Sequence, residues 1–246
     1  PGGVRFAALD VTDPEAVRAL FAGLPQLGVL VCAAGDSGPL YRNIRFLGNT
    51  IRGTTEKSLH IGKFNGSTAT GTELLIEGNV FEDAGPGYGI FLTPWGGAGL
   101  QGVRIRNNQF TAPNRSSYNG FINVSGAKDV IIEGNLFSGI GHDADKEIVS
   151  CGVALKQGER ITVKNNRFRF WPGAGASRVA EGIRLESAVR SAAVTENEFD
   201  GSGHENCFGI RVSDQADGSQ GALRNNRFRR ARLEPGRVPS EANRVE

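Results

Sequence analysis

The chain has no methionine, few cysteines and no long apolar run. Its three cysteines, Cys32, Cys151 and Cys207, are odd in number and lack metal-type spacing, so neither a disulfide framework nor a zinc site is indicated. The apolar runs are far too short to cross a bilayer, so no membrane partner is expected. Because methionine is missing even at position 1, we expect the chain to be a fragment or a processed product, which leaves its localisation open.

A dominant charge is missing as well. The 246 residues include 28 lysines and arginines and 26 acidic residues, a formal charge of +2, which gives no general attraction to nucleic acid. The basic excess lies near the end, and we predict residues 231–246 to be a polar tail. Glycine is abundant, at 35 residues, which indicates many tight turns between short strands.

A short phrase occurs seven times in the rest of the chain. Each copy has an apolar–polar alternation, a Gly-Asn or similar turn and, in most copies, a phenylalanine two residues later. When the copies are aligned on the asparagine two residues before the phenylalanine position, successive copies are 27 to 31 residues apart. The copies are IRFLGNTI (44–51), LLIEGNVF (74–81), VRIRNNQF (103–110), VIIEGNLF (130–137), ITVKNNRF (161–168), AAVTENEF (192–199) and ALRNNRF (222–228).

A second strand follows a variable stretch in five repeats: GIFL (89–92), GFIN (120–123), GVAL (152–155), GIRL (182–185) and GIRV (209–212). No helix-length periodic segment occurs after residue 40. A strand that buries one face cannot form a core alone, so the repeats must stack as coils. We therefore predict an all-β, right-handed parallel β-helix of about seven coils over residues 38–230, with an inner phenylalanine stack and an asparagine ladder.

These residues resemble right-handed parallel β-helix proteins of the pectin-lyase-like type over residues 40–230. The resemblance rests on the G-N-x-F turn, the G-I-x-L strand and the coil length. Proteins of this type include polysaccharide lyases, glycoside hydrolases, uronan epimerases and phage tailspikes, so the resemblance leaves the activity open. It favours a secreted or extracytoplasmic location and a polysaccharide partner.

Residues 1–37 do not follow the repeat. VRFAALDVTDPEAVRALFAGLPQLGVLVCAAG reads as a β-α-β segment and resembles an internal piece of a short-chain dehydrogenase. The resemblance implies that Asp10 and Val11 contact the adenine of NAD(P). The glycine-rich phosphate turn and the Tyr-x-x-x-Lys pair of that family are missing, so a cap over the open end of the β-helix is the other interpretation.

Outward positions of the G-I-x-L strands carry charged side chains. Lys156, Arg184 and Arg211 are predicted to lie on one face over three successive coils, with Glu186 as a counter-charge. A polyuronate along this face would supply further carboxylates. A solvated, salt-bridged surface is the other interpretation of such a face.

Two equivalent loops, FSGIGHDADKE and FDGSGHENC, place His142 and His204 beside acidic residues. Trp171 and Trp95 are possible sugar-stacking platforms. A weak calcium site is considered at Asp143, Asp145 and Glu147, although their spacing fits no defined calcium loop. No other cofactor is expected.

The leading hypothesis is binding or processing of an acidic polysaccharide. If the protein is an enzyme, which stays open, β-elimination or C5 epimerisation would use Lys156 or Arg184 as base, assisted by His142 and His204. Arg211, Glu186, Trp171 and Trp95 would bind substrate. The alternatives are a non-catalytic carbohydrate-binding or structural β-helix and a dehydrogenase fragment fused to a β-helix. A homo-oligomer could form through an uncapped seventh coil.

Overall fold

The computed structural model describes ten stretches of the chain: residues 41–42, 44–54, 59–62, 71–84, 89–93, 100–111, 120–141, 150–176, 179–213 and 221–246. All of them belong to one unit, Val31–Glu246. In these stretches every regular element is a strand and every strand pairing is parallel, so the predicted all-β parallel β-helix is confirmed. The predicted β-α-β segment at residues 1–37 lies outside the described residues.

The strands form two sheets. The first sheet has 13 strands: β1 (Tyr41–Arg42), β2 (Arg45–Leu47), β4 (Leu59–Gly62), β5 (Gly71–Glu77), β7 (Ile90–Thr93), β8 (Gln101–Arg106), β10 (Ile122–Glu133), β12 (Ser150–Lys164), β14 (Ala180–Thr195), β16 (Cys207–Val212), β17 (Ala222–Arg224), β19 (Arg232–Glu234) and β20 (Ser240–Glu241). The second has eight: β3 (Thr50–Thr54), β6 (Val80–Ala84), β9 (Gln109–Thr111), β11 (Leu136–Ile140), β13 (Arg167–Phe170), β15 (Glu198–Asp200), β18 (Arg227–Arg229) and β21 (Arg244–Val245).

The number of coils differs from the seven expected. The structure has about four coils. The longest first-sheet strands, β10, β12 and β14, have 12 to 16 residues and mark the most regular coils, whereas the other first-sheet strands have two to seven residues. The number of repeated phrases in the sequence therefore does not equal the number of coils.

Three short strands lie within residues 231–246, which the sequence predicts to be a polar tail. β19 pairs with β16, β20 with β17 and β21 with β18. Ala242, Asn243 and Val245 occupy the Gly, Asn and Phe positions of the repeated phrase, and Val245 pairs with Phe228. This last copy of the phrase is not evident from the sequence alone, because only its asparagine is retained.

The asparagines of the phrase form a ladder, as predicted. Each Oδ1 accepts hydrogen bonds from the backbone N–H and the Nδ2 of the asparagine one coil earlier, over 2.8–3.1 Å. From the second rung, Asn79, onward, each Nδ2 also donates to a backbone carbonyl of the preceding coil at 2.8–3.0 Å. The rungs are Asn49, Asn79, Asn108, Asn135, Asn166, Asn197, Asn226 and Asn243.

The residue before each rung has a left-handed backbone conformation, which explains why the phrase contains Gly-Asn or Asn-Asn. The φ angles at these positions lie between 52° and 65°. Glycine adopts this region without a steric penalty, and asparagine tolerates it better than most residues. The positions are Gly48, Gly78, Asn107, Gly134, Asn165, Glu196, Asn225 and Ala242.

Phenylalanines form the predicted inner stack. Phe81, Phe110, Phe137, Phe168, Phe199 and Phe228 are at most 1% exposed, and neighbouring ring centroids are 4.7–4.9 Å apart with interplanar angles of 4–14°. The glycine that begins each second strand lies against this stack. A methyl group at Gly152, Gly182 or Gly209 would come within 2.5–2.9 Å of a phenylalanine ring carbon, so glycine is needed for the close approach.

We expect Asn166→Ala to lower the free energy of unfolding by at least ~3 kcal/mol. The substitution leaves the Asn135 N–H groups and the Ile132 carbonyl, all buried, without their partner. Asn165→Gly is the matched control, since Asn165 is exposed and its φ of 54° suits glycine. Urea unfolding measures both variants, and an equal loss in the two would contradict the ladder's role.

Glu196 is the rung-preceding residue least suited to its conformation within the regular coils, at φ 56°. We expect Glu196→Asn to stabilise the protein by ~0.5–1 kcal/mol, because asparagine accepts the left-handed region more easily. Glu198→Asn, two residues later in β15, should not stabilise. Thermal unfolding of the two variants checks the prediction, and a lower melting temperature for Glu196→Asn would refute it.

Candidate functional site

A charged cluster lies on the outward side of the first sheet. Ile183 and Leu185 point into the core, at 0% and 2% exposure, so Arg184 between them points outward. Arg184 is the register partner of Arg211 on the next coil. Parallel strands are ~4.8 Å apart, so the backbones of the two arginines are one coil step apart.

Glu181 joins the two arginines. Its Oε1 lies 3.4 Å from Nη1 of Arg211, and its Oε2 lies 3.4 Å from Nη1 of Arg184. The Glu181 side chain is 1% exposed, whereas those of Arg184 and Arg211 are 17% and 39% exposed. The contact with Arg211 has hydrogen-bond geometry, and Oε2 accepts no hydrogen bond, so the contact with Arg184 is a charge pair.

Two outer carboxylates complete the group. Nε of Arg184 lies 3.2 Å from Oε1 of Glu186, and Nε of Arg211 donates to Oε2 of Glu234 at 2.8 Å. These five residues are called the Glu181 cluster: Glu181, Arg184, Glu186, Arg211 and Glu234. Each arginine thus contacts one buried and one more exposed carboxylate, which restricts the position of its guanidinium group.

An aromatic ring supports one side of the cluster. Phe208 is buried, and the guanidinium carbons of Arg211 and Arg232 each lie 5.1 Å from its ring centroid. Nη1 of Arg232 also donates to the carbonyl of Glu205 at 2.7 Å. Both guanidinium groups are therefore held by cation–π attraction in addition to their polar contacts.

Lys156 does not stand in the same column as the two arginines. The register partner of Arg184 on β12 is Ala154. A register shift after Leu155 leaves Lys156 opposite Glu186 and Ser187, on the same side of the sheet but further along the strand. Lys156 is half-buried and takes part in no ion pair with the residues that the structure describes. The predicted row of three cations is thus a pair of arginines with an offset lysine.

The other predicted site residues are spread more widely. His204 is exposed in the turn before β16, where its carbonyl accepts a hydrogen bond from the Cys207 N–H at 3.0 Å. Trp171 is 42% exposed at the end of β13. The remaining predicted residues lie outside the described stretches: His142, Trp95, Asp143, Asp145, Glu147, Asp10 and Val11.

Burial controls the ionisation of the groups beneath the cluster. It raises the pKa of Glu181 above its ordinary value, an effect that the charges of Arg184 and Arg211 oppose. Cys151, the register partner of Glu181 on β12, is fully buried, and burial raises the pKa of its thiol to about 12. Cys151 is therefore uncharged at neutral pH.

Sequence reasoning missed Glu181 and Asn123. Glu181 stands where neighbouring coils have Cys151 and Phe208, and this charge at an otherwise apolar position was the available signal. Asn123 is fully buried on β10, and neither polar atom of its amide has a hydrogen-bond partner among the residues that the structure describes. It shares the outward column of Ala154 and Arg184, two coils before the arginine.

Two further features limit the chemistry of the described part. No group of three or more His, Cys, Asp or Glu residues there could hold a metal ion. The cavity lined by Leu185, Glu186, Val189, Ser191, Ala192, Gly221 and Val238 has a volume of about 10 Å³, enough for one water molecule at most.

No known family model matches the chain, and no curated protein matches it. Among the described residues, none forms a helix long and apolar enough to span a membrane.

We expect Glu181→Gln to raise the melting temperature at pH 7. Because burial raises the pKa of Glu181, the folded state holds this proton more tightly than the unfolded chain, and stability falls as the pH rises through and above the ordinary glutamate value. The variant and the native protein should converge below pH ~4, where both side chains are uncharged.

Glu186→Gln is the matched control, because Glu186 contacts the same Arg184 but its side chain is 35% exposed. It should show no stability gain at pH 7. Thermal unfolding from pH 3 to 8 decides the matter, and a native protein more stable than Glu181→Gln at neutral pH would show that the ion pairs outweigh the cost of burial.

Proposed function

We propose that the chain is a carbohydrate-binding parallel β-helix that holds an acidic polysaccharide along the outward face of its first sheet. The observation that carries the proposal is the pair Arg184 and Arg211, in register on adjacent coils and fixed by carboxylates and by Phe208. Guanidinium groups bind carboxylates through two parallel hydrogen bonds, which suits recognition of uronate units.

The spacing of the solenoid supports this partner. Successive coils repeat at ~4.8 Å, close to the length of one sugar unit in an extended chain. A polysaccharide laid along the solenoid axis would therefore present one unit per coil to the outward side chains. Trp171, at 42% exposure, offers an aromatic surface of the kind on which sugar rings stack.

Binding is favoured over catalysis for Arg184. An arginine side chain stays protonated in proteins, and here two carboxylates lie within 3.4 Å of it, so it is suited to hold an anion and not to abstract a proton. Arg184 is therefore assigned to binding, in place of the base role considered from the sequence.

A lyase or an epimerase is the second candidate function. The position of Lys156, on the same side of the sheet as the two arginines, favours it. The resemblance of the repeat to pectin-lyase-like β-helices supports carbohydrate chemistry by analogy. In this version Lys156 would take the C5 proton, with His142 or His204 assisting the leaving oxygen.

We expect Arg211→Gln to weaken binding of polygalacturonate or alginate on the order of tenfold, the effect of losing one charge-assisted contact. Isothermal titration calorimetry at low salt measures the dissociation constant. Arg224→Gln is the control: Arg224 is exposed on β17 of the same sheet, pairs with Glu241 at 3.2 Å, and its loss changes the net charge equally.

The outcomes separate three interpretations. An equal loss in Arg211→Gln and Arg224→Gln would indicate non-specific attraction. Absence of binding to any acidic or neutral polymer would refute the proposal. An ultraviolet assay for unsaturated uronate products, run with the native protein and with Lys156→Ala, tests the lyase version, which requires a signal that the variant lacks.

A further inference from the structure

Glu181 occupies a special position beneath the arginine pair. Its two oxygens are divided between the two cations, one at 3.4 Å from Arg184 and one at 3.4 Å from Arg211. A single buried carboxylate thus links side chains from two successive coils. The other carboxylates of the Glu181 cluster each contact one arginine and are 35% and 43% exposed.

Among the residues that the structure describes, the charges of Arg184, Arg211 and Glu186 act on Glu181. The two arginines are its ion-pair partners, and Glu186 is paired with Arg184. β12 contributes the uncharged Cys151 thiol opposite Glu181, with Lys156 further along the strand. On β19, Glu234 contacts Arg211 and Arg232 contacts the Phe208 ring. Protonation of Glu181 therefore adds one positive charge to the Glu181 cluster.

We propose that the charged Glu181 side chain restrains the Arg184–Arg211 pair. Loss of this charge would increase the affinity of the pair for an anionic polysaccharide. The inference rests on the proposed function. With Glu181 ionised, one Nη1 group of each arginine faces the buried carboxylate. With Glu181 uncharged, both groups lose that attraction and can bind a ligand carboxylate.

Burial distinguishes Glu181 from the two outer carboxylates. Glu186 and Glu234 are in contact with water, which stabilises their charges, whereas Glu181 is 1% exposed. Burial raises the pKa of Glu181, so acidification removes its charge at a higher pH than it would for a fully solvated carboxyl group. Protonation of Glu181 would therefore tighten ligand binding.

The test compares polygalacturonate binding to the native protein, Glu181→Gln and Glu186→Gln between pH ~5 and ~8, where the uronate carboxylates stay ionised. At pH 8 we expect Glu181→Gln to bind on the order of five- to tenfold more tightly than the native protein. The difference should shrink as the pH is lowered, because burial raises the pKa of the native Glu181. Glu186→Gln should show a smaller gain at pH 8.

The difference between the native protein and Glu181→Gln at each pH isolates the contribution of Glu181 from that of the other titratable groups. Native binding combined with equal or weaker binding by Glu181→Gln at pH 8 would overturn the inference and leave the proposed function intact. A pH-independent difference would likewise overturn it. If neither protein binds at any pH, the proposed function fails and the inference fails with it.

Discussion

The hydrogen bonds between asparagine side chains of successive coils are the interaction on which the remaining structure depends. Each Asn166-type amide bonds the backbone of the coil before it and the side chain of the coil after it, so two coils can pair in one register only. A slip by one residue would turn every side chain to the opposite face. The ladder is buried, and a missed bond in it would be costly because no water is available to replace it.

The register set by the ladder also aligns the charges on the outside. Glu77, Arg106, Glu133 and Lys164 are consecutive partners in one outward column, with ion pairs of 2.9 Å and 3.1 Å between Glu77 and Arg106 and between Glu133 and Lys164. Alternating signs make such a column self-compensating. These pairs are about one-third exposed, and exposed pairs contribute little stability individually.

The Glu181 cluster departs from that pattern. Its central carboxylate is buried, its two arginines lie side by side on adjacent coils instead of alternating with acids, and an aromatic ring holds one of them. Burial raises the pKa of Glu181, and perturbed groups of this kind are common at functional sites, which is why ligand binding is proposed here. The rigid solenoid would hold such a site without a cleft, since each coil is fixed by both neighbours.

The repeated phrase was enough to predict the parallel solenoid, the asparagine ladder and the phenylalanine stack. Each of these features arises from residues that recur in every repeat and that fit one stacking geometry. The sequence also placed Arg184 and Arg211 on one outward face. Three features become visible only in the folded chain. Lys156 is offset by a register shift, and short strands within residues 231–246 pair with earlier coils. Glu181 is buried between two arginines. The physical reason is that register shifts and burial depend on residues from other coils, about 30 positions away, which the pattern within one repeat does not record.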